Sequence, residues 1–405
     1  MRYWFLAILF FSTIIFILLV FEKDEANDFI FISTNHKNTE RQIDEKGSNI
    51  NYIDEKSNEK NSSSISNLKF LTESLGWLKK LDVKKYGSIK ISDLKNIKKI
   101  DLTLYNLRDE HEDLKYLKSL TGLKVLLGPP ITSTDPRMLK TKNGMIAEDD
   151  AILHIPYIPS LEKISLYGSL ITNEALQNME RYNALKELWL GATKINNGGM
   201  RHLEHLKELE VIDVSMTDVD DEGLKCLERF NNLKELYLTK TNVTGLCFSG
   251  LKNSKLNVLK ASNAMLEDKN LKHLSEIYSL KKIFIGDAFE PNISDSGIYY
   301  LKNLTNITDL NLYGLNITNK SAEIVKQMRF LTFLDLSYTK IDNFNGFGEL
   351  SNISVLKLVG TKVSDDDIKY LKKLTSLKKL SISETRITDD GMQRLRDSLP
   401  NCLVK

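Results

Sequence analysis

The chain has 405 residues, 41% of them hydrophobic and 27% charged, which is ample for a large buried core. Its 56 basic and 54 acidic residues leave a net charge of +2, with the signs interspersed, so no global field directs the chain to nucleic acid or an anionic surface. Three separated cysteines, Cys226, Cys247 and Cys402, form no CxxC pair, which argues against a zinc site and against a disulfide-rich scaffold.

Tyr3 to Phe21 is an apolar run interrupted only by Ser12 and Thr13. At about 1.5 Å per residue a helix of this length just spans a bilayer. Arg2 precedes it and Glu22, Lys23, Asp24 and Glu25 follow, so the positive-inside rule puts the amino terminus in the cytoplasm and the remainder outside. A cleaved signal peptide is the rival, although Asp24 and Ala26 make a poor cleavage site, and no cysteine follows to carry a lipid. Residues 1–22 are thus expected to be a transmembrane signal anchor. Residues 23–67, rich in Asn, Lys, Glu and Ser, lack the apolar surface to pack and are expected to form a flexible stalk or an unfolded spacer.

From about residue 68 to the end the chain repeats itself. LKELWLGATKINNGGMRHL from Leu185, LEVIDVSMTDVDDEGLKCL from Leu209, LKELYLTKTNVTGLCFSGL from Leu233 and LKKLSISETRITDDGMQRL from Leu377 share the pattern LxxLxLxxTxIxDxGLxxL. The anchors Leu161, Leu185, Leu209, Leu233, Leu256, Leu280, Ile307, Leu331, Ile353 and Leu377 step mostly by 24 residues, and looser copies begin at Leu78, Ile97 and Leu123. Roughly thirteen repeats of this period predict a stacked solenoid. In LKELWL the leucines alternate with Glu187 and Trp189, the period of a short half-buried strand. Thr193 then opens a turn, Ile195 returns to the core, and a short helix follows. In ITDDG, Thr388 or Asp389 can cap that helix. No unit buries its leucines alone, so the strands stack into a parallel sheet with helices on the other side.

Between Leu123 and Leu161 the step grows to 38 residues and holds five of the seven prolines, Pro129, Pro130, Pro136, Pro156 and Pro159. Proline removes a ladder donor, so an inserted loop is expected at about 128–157, either shaping a binding face or simply tolerated. The other irregularities are small, near Phe289 to Ser294 and Phe344 to Gly348.

This pattern resembles the leucine-rich repeat family, and its TxITDxGL variant is similar to repeats of bacterial membrane-linked proteins and of F-box-type substrate receptors. The resemblance covers over four fifths of the chain and implies an α/β solenoid, a curved horseshoe with strands on the concave face and short helices on the convex one. It implies binding of a protein or other ligand on the concave face, and no catalysis or cofactor. SLPNCLVK at the end resembles the last partial repeat of such arrays, which covers the open end of the core.

The period-two rule fixes which strand positions face outward. One column runs Asp82, Asp101, Leu127, Ser165, Trp189, Asp213, Tyr237, Lys260, Phe284, Asn311, Asp335, Lys357 and Ser381, and the next includes Tyr167, Tyr313 and Val359. Together Tyr167, Trp189, Tyr237, Phe284 and Tyr313, interleaved with Asp213, Lys260 and Asp335, form the candidate ligand-binding strip, because Trp and Tyr are enriched at interface hot spots. The alternative is that these side chains only shield the sheet. His202 and His205 could share a helix face, but His202 aligns with Cys226, His273 and Tyr300 at a tolerant position, so no metal is expected. Asp220-Asp221-Glu222 and Asp365-Asp366-Asp367 stand where caps are wanted. GxSxG, HExxH and Walker-type loops are absent from the sequence. Eight Asn-x-Ser/Thr triplets, such as Asn242 and Asn316, would matter in a eukaryotic secretory pathway. The repeat type favours a bacterial inner membrane, with the repeats in the periplasm or at the surface. The expected function is a membrane-anchored module for a protein ligand, with an adaptor or F-box-type substrate-receptor subunit as the alternative.

Overall fold

The repeat imposes one structural habit many times over: a three-residue strand with its central side chain buried, a tight corner, and a short helical turn leading back. In the computed structural model the described residues are 60–81, 88–102, 111–128, 147–289 and 291–405, all within the unit Glu59–Lys405. Thirteen strands occur among them. They are β1 (Lys99–Asp101), β2 (Val125–Leu127), β3 (Lys163–Ser165), β4 (Glu187–Trp189), β5 (Val211–Asp213), β6 (Glu235–Tyr237) and β7 (Val258–Lys260), then β8 (Lys282–Phe284), β9 (Asp309–Asn311), β10 (Phe333–Asp335), β11 (Val355–Lys357), β12 (Lys379–Ser381) and β13 (Leu403–Val404). They form one parallel sheet in sequence order. The register places equivalent residues side by side, Trp189 beside Asp213 and Asp213 beside Tyr237.

Inward residues such as Leu188, Leu236 and Leu334 are fully buried in one continuous core with the turn-side leucines. The buried threonine of each copy has a definite task. Thr193 Oγ1 donates to the Leu190 carbonyl at 2.7 Å, and Thr241, Thr339 and Thr361 repeat the bond at 2.7, 2.7 and 2.6 Å. A hydroxyl here satisfies a carbonyl that the sheet leaves over where it turns away. At the corner itself Ala192, Met216, Lys240, Asn263, Tyr338 and Glu384 have φ between 53° and 58°, and Gly168, Gly314 and Gly360 fill the same position.

The return segments are mostly 3-10 turns, with longer helices only in some copies. Two sequence expectations need correction. First, no strand starts near Leu78: helix α1 spans Lys60–Leu81, with Trp77 and Leu78 buried against the first repeat. Residues 60–67 are therefore helical instead of stalk, and Asp82 lies outside the described residues. Second, the insertion is shorter than expected. Helix α2 (Ala147–Leu153) is its repeat's ordinary return segment, and Ile152 and Ile155 are core residues; the prolines Pro129, Pro130 and Pro136 lie outside the described residues. The closing SLPNCLVK is a partial repeat at the end of the core: Leu403 and Val404 add β13 to β12, and Val404 is buried. The run Tyr3–Phe21 and the rest of the expected stalk lie outside the described residues, and among those described no helix is long and apolar enough to cross a membrane.

Candidate functional site

On the outward face of the sheet, side chains from β3 to β11 touch in an unbroken series. The Lys163 ammonium lies 5.1 Å from the centre of the Trp189 ring. Trp189 meets Tyr237, two strands on, with ring centres 5.2 Å apart and planes inclined at 44°. Lys260 stands between two rings, 4.9 Å from Tyr237 and 5.6 Å from Phe284. Phe284 packs on Phe333 at 6.0 Å, and Lys357 lies 5.3 Å over Phe333. Ammonium groups over ring faces are attracted by the ring quadrupole, and the tilted ring pairs gain dispersion, so the face holds its own shape.

Neighbours fix the orientation of the polar rings. Trp189 Nε1 donates to Glu187 Oε2 at 3.1 Å, and the same oxygen is 2.8 Å from Lys163. Tyr237 donates its hydroxyl proton to Glu235 Oε2. Desolvation by burial, with the Glu235 carboxylate beside it, raises the Tyr237 phenol above its ordinary pKa. The series thus joins the Trp189 column to the column that opens each strand, where Lys163, Glu187, Glu235 and Phe333 stand; these four, and Lys357 of the Trp189 column, belong to it although the expected strip omitted them. The same period-two rule turns the strand-opening column outward as well.

Asp213 and Asp335 need the opposite correction. They lie on the outward face, yet they are only 4% and 3% exposed, so they form its floor instead of its contact surface. Asp213 Oδ1 accepts the Ser215 amide at 2.8 Å, and Asp335 Oδ1 accepts the Ser337 amide at 3.0 Å, which makes both part of the strand's end. Burial pushes the Asp213 carboxyl up to about 6, against the pull of the Ser215 hydrogen bonds and of Lys260. Lys357 is 3.3 Å from Asp335.

Tyr167 and Tyr313 also fall apart from the series, in a second row at the corners. The Tyr167 ring covers Gly191, where a Cβ would come within 2.6 Å of it, and its hydroxyl is 4.0 Å from the Met216 sulfur. Tyr313 meets Tyr338 edge-on at 5.4 Å, and Tyr338 donates to Glu384 Oε1 at 3.0 Å. Tyr167, Met216 and Tyr338 are 37%, 40% and 44% exposed, so this row is open to a partner.

The acids and amides at the turns are not candidates, and the reason differs from simple capping. Asp149 accepts from the Thr172 amide and hydroxyl, both at 2.7 Å, one repeat ahead. Asp221 does the same for Thr244, Asp295 for Thr318 and Asp365 for Thr388. Asn173, Asn197 and Asn319 accept the amides of Asn196, Asp220 and Asp342. The acidic runs are therefore interlocks between repeats. Own-helix capping also occurs, as Thr388 Oγ1 accepts from Gly391 at 3.0 Å. Among the described residues no group of three or more His, Cys, Asp or Glu could hold a metal ion. A cleft of about 260 Å³ lies beside α1, lined by Glu73, Trp77, Lys80, Asp113 and Tyr116, and Lys115 lies 5.1 Å over its Tyr116 ring.

Comparison with known proteins agrees with this architecture. A family model described as Leucine Rich repeat matches residues 199–227 and 373–395. The structure of an internalin (inlF) from Listeria monocytogenes is similar over 83% of this chain and 94% of its own, with 17% identity and a TM-score of 0.57. A leucine-rich-repeat protein of Leptospira interrogans is similar over 78% of this chain and 91% of its own, with 16% identity and a TM-score of 0.40. No curated protein matches the sequence. The fold is a leucine-rich-repeat solenoid with a parallel sheet.

Proposed function

We propose that the chain is a membrane-anchored binding module that takes a protein ligand on the strand face of its solenoid. The observation that carries this reading is the series of rings and lysines from Lys163 to Lys357. Nine adjacent strands bring it together, at about 4.8 Å per strand a span of roughly 38 Å. Core packing does not require it, because the leucine ladder beneath is complete. Large, partly exposed rings held rigid by hydrogen bonds lose little freedom on binding, and such residues dominate interface energies. The anchor is the apolar run Tyr3–Phe21, with the repeats outside the cytoplasm, in a bacterial periplasm or at the surface. The adaptor alternative gains no support from α1, whose Trp77 and Leu78 are committed to the core.

The test is capture of partners by the full-length chain in its native membrane, comparing the natural protein with a Trp189→Ala, Tyr237→Ala double variant. Loss of a partner in the variant is the expected result; equal capture by both would reject the strand face as the site. Protease added outside an intact inner membrane, with any outer envelope permeabilised, should remove the repeats. Digestion that requires opening the inner membrane itself would reverse the topology and revive the adaptor.

A further inference from the structure

The ring series has a period of its own. Lys163, Lys260 and Lys357 stand on β3, β7 and β11, four strands apart each time, and between them lie two bays with the same strand order, although Lys163 and Phe333 open their strands where the other lysines and rings close theirs. Each bay has a ring, then an Asp or Asn, then a ring: Trp189, Asp213 and Tyr237 in the first, Phe284, Asn311 and Phe333 in the second. In both, the middle residue's Oδ1 accepts the amide two residues on, Ser215 at 2.8 Å and Tyr313 at 2.9 Å. The turn side keeps the same beat. After β6 and after β10, Gly245 and Gly346, with φ of 94° and 88°, open 3-10 turns that bury Phe248 and Phe347.

The plan is shared, but the chemistry is not. In the first bay both rings carry polar edges and each is tied to a glutamate, Glu187 or Glu235, through Oε2, leaving Oε1 outside these contacts. Asp213 lies beneath the pair. In the second bay both rings are phenyl, Asn311 is neutral, the buried Asp335 beside it is held by the Ser337 amide and Lys357, and the nearby Asp309 already takes the Thr308 hydroxyl at 2.6 Å. The first bay therefore offers carboxylates beside aromatic faces, which suits a guanidinium or ammonium. The second offers apolar faces and would charge a desolvation cost to any ion placed there. Anionic partners meet lysines that already face acids: Lys163 is 2.8 Å from Glu187, Lys357 is 3.3 Å from Asp335, and Lys260 interacts with Asp213.

From this we infer that the strand face reads an extended segment of a protein partner that lays a basic side chain over Trp189 and Tyr237 and a large apolar side chain over Phe284 and Phe333. The bays are four strands apart, roughly 19 Å, and an extended chain rises about 3.3 Å per residue, so the two side chains stand about six positions apart. The inference rests on the proposed function and specifies its ligand.

The test uses the full-length chain against synthetic peptides in a Ser/Gly/Thr background that carry one Arg and one Phe at separations of three to nine positions. Binding should peak near six and fall about tenfold when Arg is replaced by Glu. A Glu187→Gln, Glu235→Gln variant, in which the amides still accept the ring hydrogen bonds, should lose the preference for Arg and keep that for Phe. Phe284→Ala should do the reverse. Circular dichroism and the urea midpoint establish that each variant is folded. Equal binding at all separations overturns the inference, as does a preference for acidic peptides or binding of single-stranded oligonucleotide that depends on Trp189 and Tyr237. So does peptide indifference in a chain whose natural partner is still lost with Trp189→Ala, Tyr237→Ala, and that outcome leaves the proposed function standing. Partner capture that is equal in the natural chain and the Trp189→Ala, Tyr237→Ala variant removes the strand face as the proposed site itself.

Discussion

The turn side and the strand face of this solenoid both carry rows of polar and charged residues, and they use them in different ways. At the turns each side chain bonds forward to the backbone of the next repeat, as Asp295 does to the Thr318 and Ser321 amides at 2.9 and 3.2 Å. On the strand face the rings, lysines and glutamates bond sideways to one another. Backbone amides must find partners when they are buried, so the first kind of row is demanded by stacking. Nothing in stacking demands the second. That difference, more than residue type, separates structural acids from candidate contact residues here.

The sharpest way to break the comparison is Asp295→Ala, which strands the Thr318 amide and the Thr318 and Ser321 hydroxyls, while the Ser321 amide keeps the Thr318 carbonyl. It should cost about 3 kcal/mol in urea unfolding, an effect far beyond that of an exposed surface acid. Burial alone would raise the Asp295 carboxyl, but the Ser321 and Thr318 hydrogen bonds outweigh it and hold the group below its ordinary pKa of 3.8. Its contribution is therefore present above that value and lost as pH falls through the lowered one.

Asp213 tests the boundary between the two kinds of row. Its pKa of about 6 exceeds the ordinary 3.8, so the folded state holds the proton more tightly. The native chain should gain stability as pH falls from 6 toward 4, and Asp213→Asn should remove that slope. Because Asn311 performs the same amide-accepting task, Asp213→Asn should also stabilise the protein at pH 8, by about 2 kcal/mol at most after allowing for the lost Lys260 interaction. Thermal melts at pH 4, 6 and 8 decide this. Trp189→Ala should cost only about 1 kcal/mol of stability while abolishing partner capture, a split that a merely shielding ring would not show. The smallest effect is expected at the corner: Lys240→Gly, at φ 55°, should stabilise by about 0.5 kcal/mol with no change in binding.

Much of this molecule can be read in its amino acids. Alternation alone places Leu188 inward and Trp189 outward, and the repeating threonine marks the corner at Thr193. Alternation cannot say how far a side chain leans. Trp189 and Tyr237 are 48 residues apart and meet across an intervening strand, and their meeting roofs over Asp213, which a rule about one strand must place in solvent. The same limit hid Phe333, whose column becomes part of the site only because Phe284 leans toward it. The forward bonds of Asp149 and Asp221 look like helix caps in sequence because the donating threonine lies one full repeat away. At Leu78 the motif was genuinely misleading: an apolar spacing compatible with a strand belongs to helix α1.

The interlocking row at the turns skips two places, and these set where the array can come apart. After Gly245 the forward bond is replaced by one in the reverse sense, the Asn270 amide donating to Thr244 Oγ1 at 3.1 Å. After Asp342 the crossing contact is an exposed Lys362 ammonium 3.4 Å away. A solenoid's cohesion is close to a sum of nearest-neighbour terms, so a weak term is a seam. Hydrogen exchange should find the repeats from β11 onward opening as a block of their own, below the energy needed to unravel the whole. Under mechanical load or in mild denaturant that block would peel first, and the second ring bay, which straddles the seam through Phe333 and Lys357, would lose its geometry before the first.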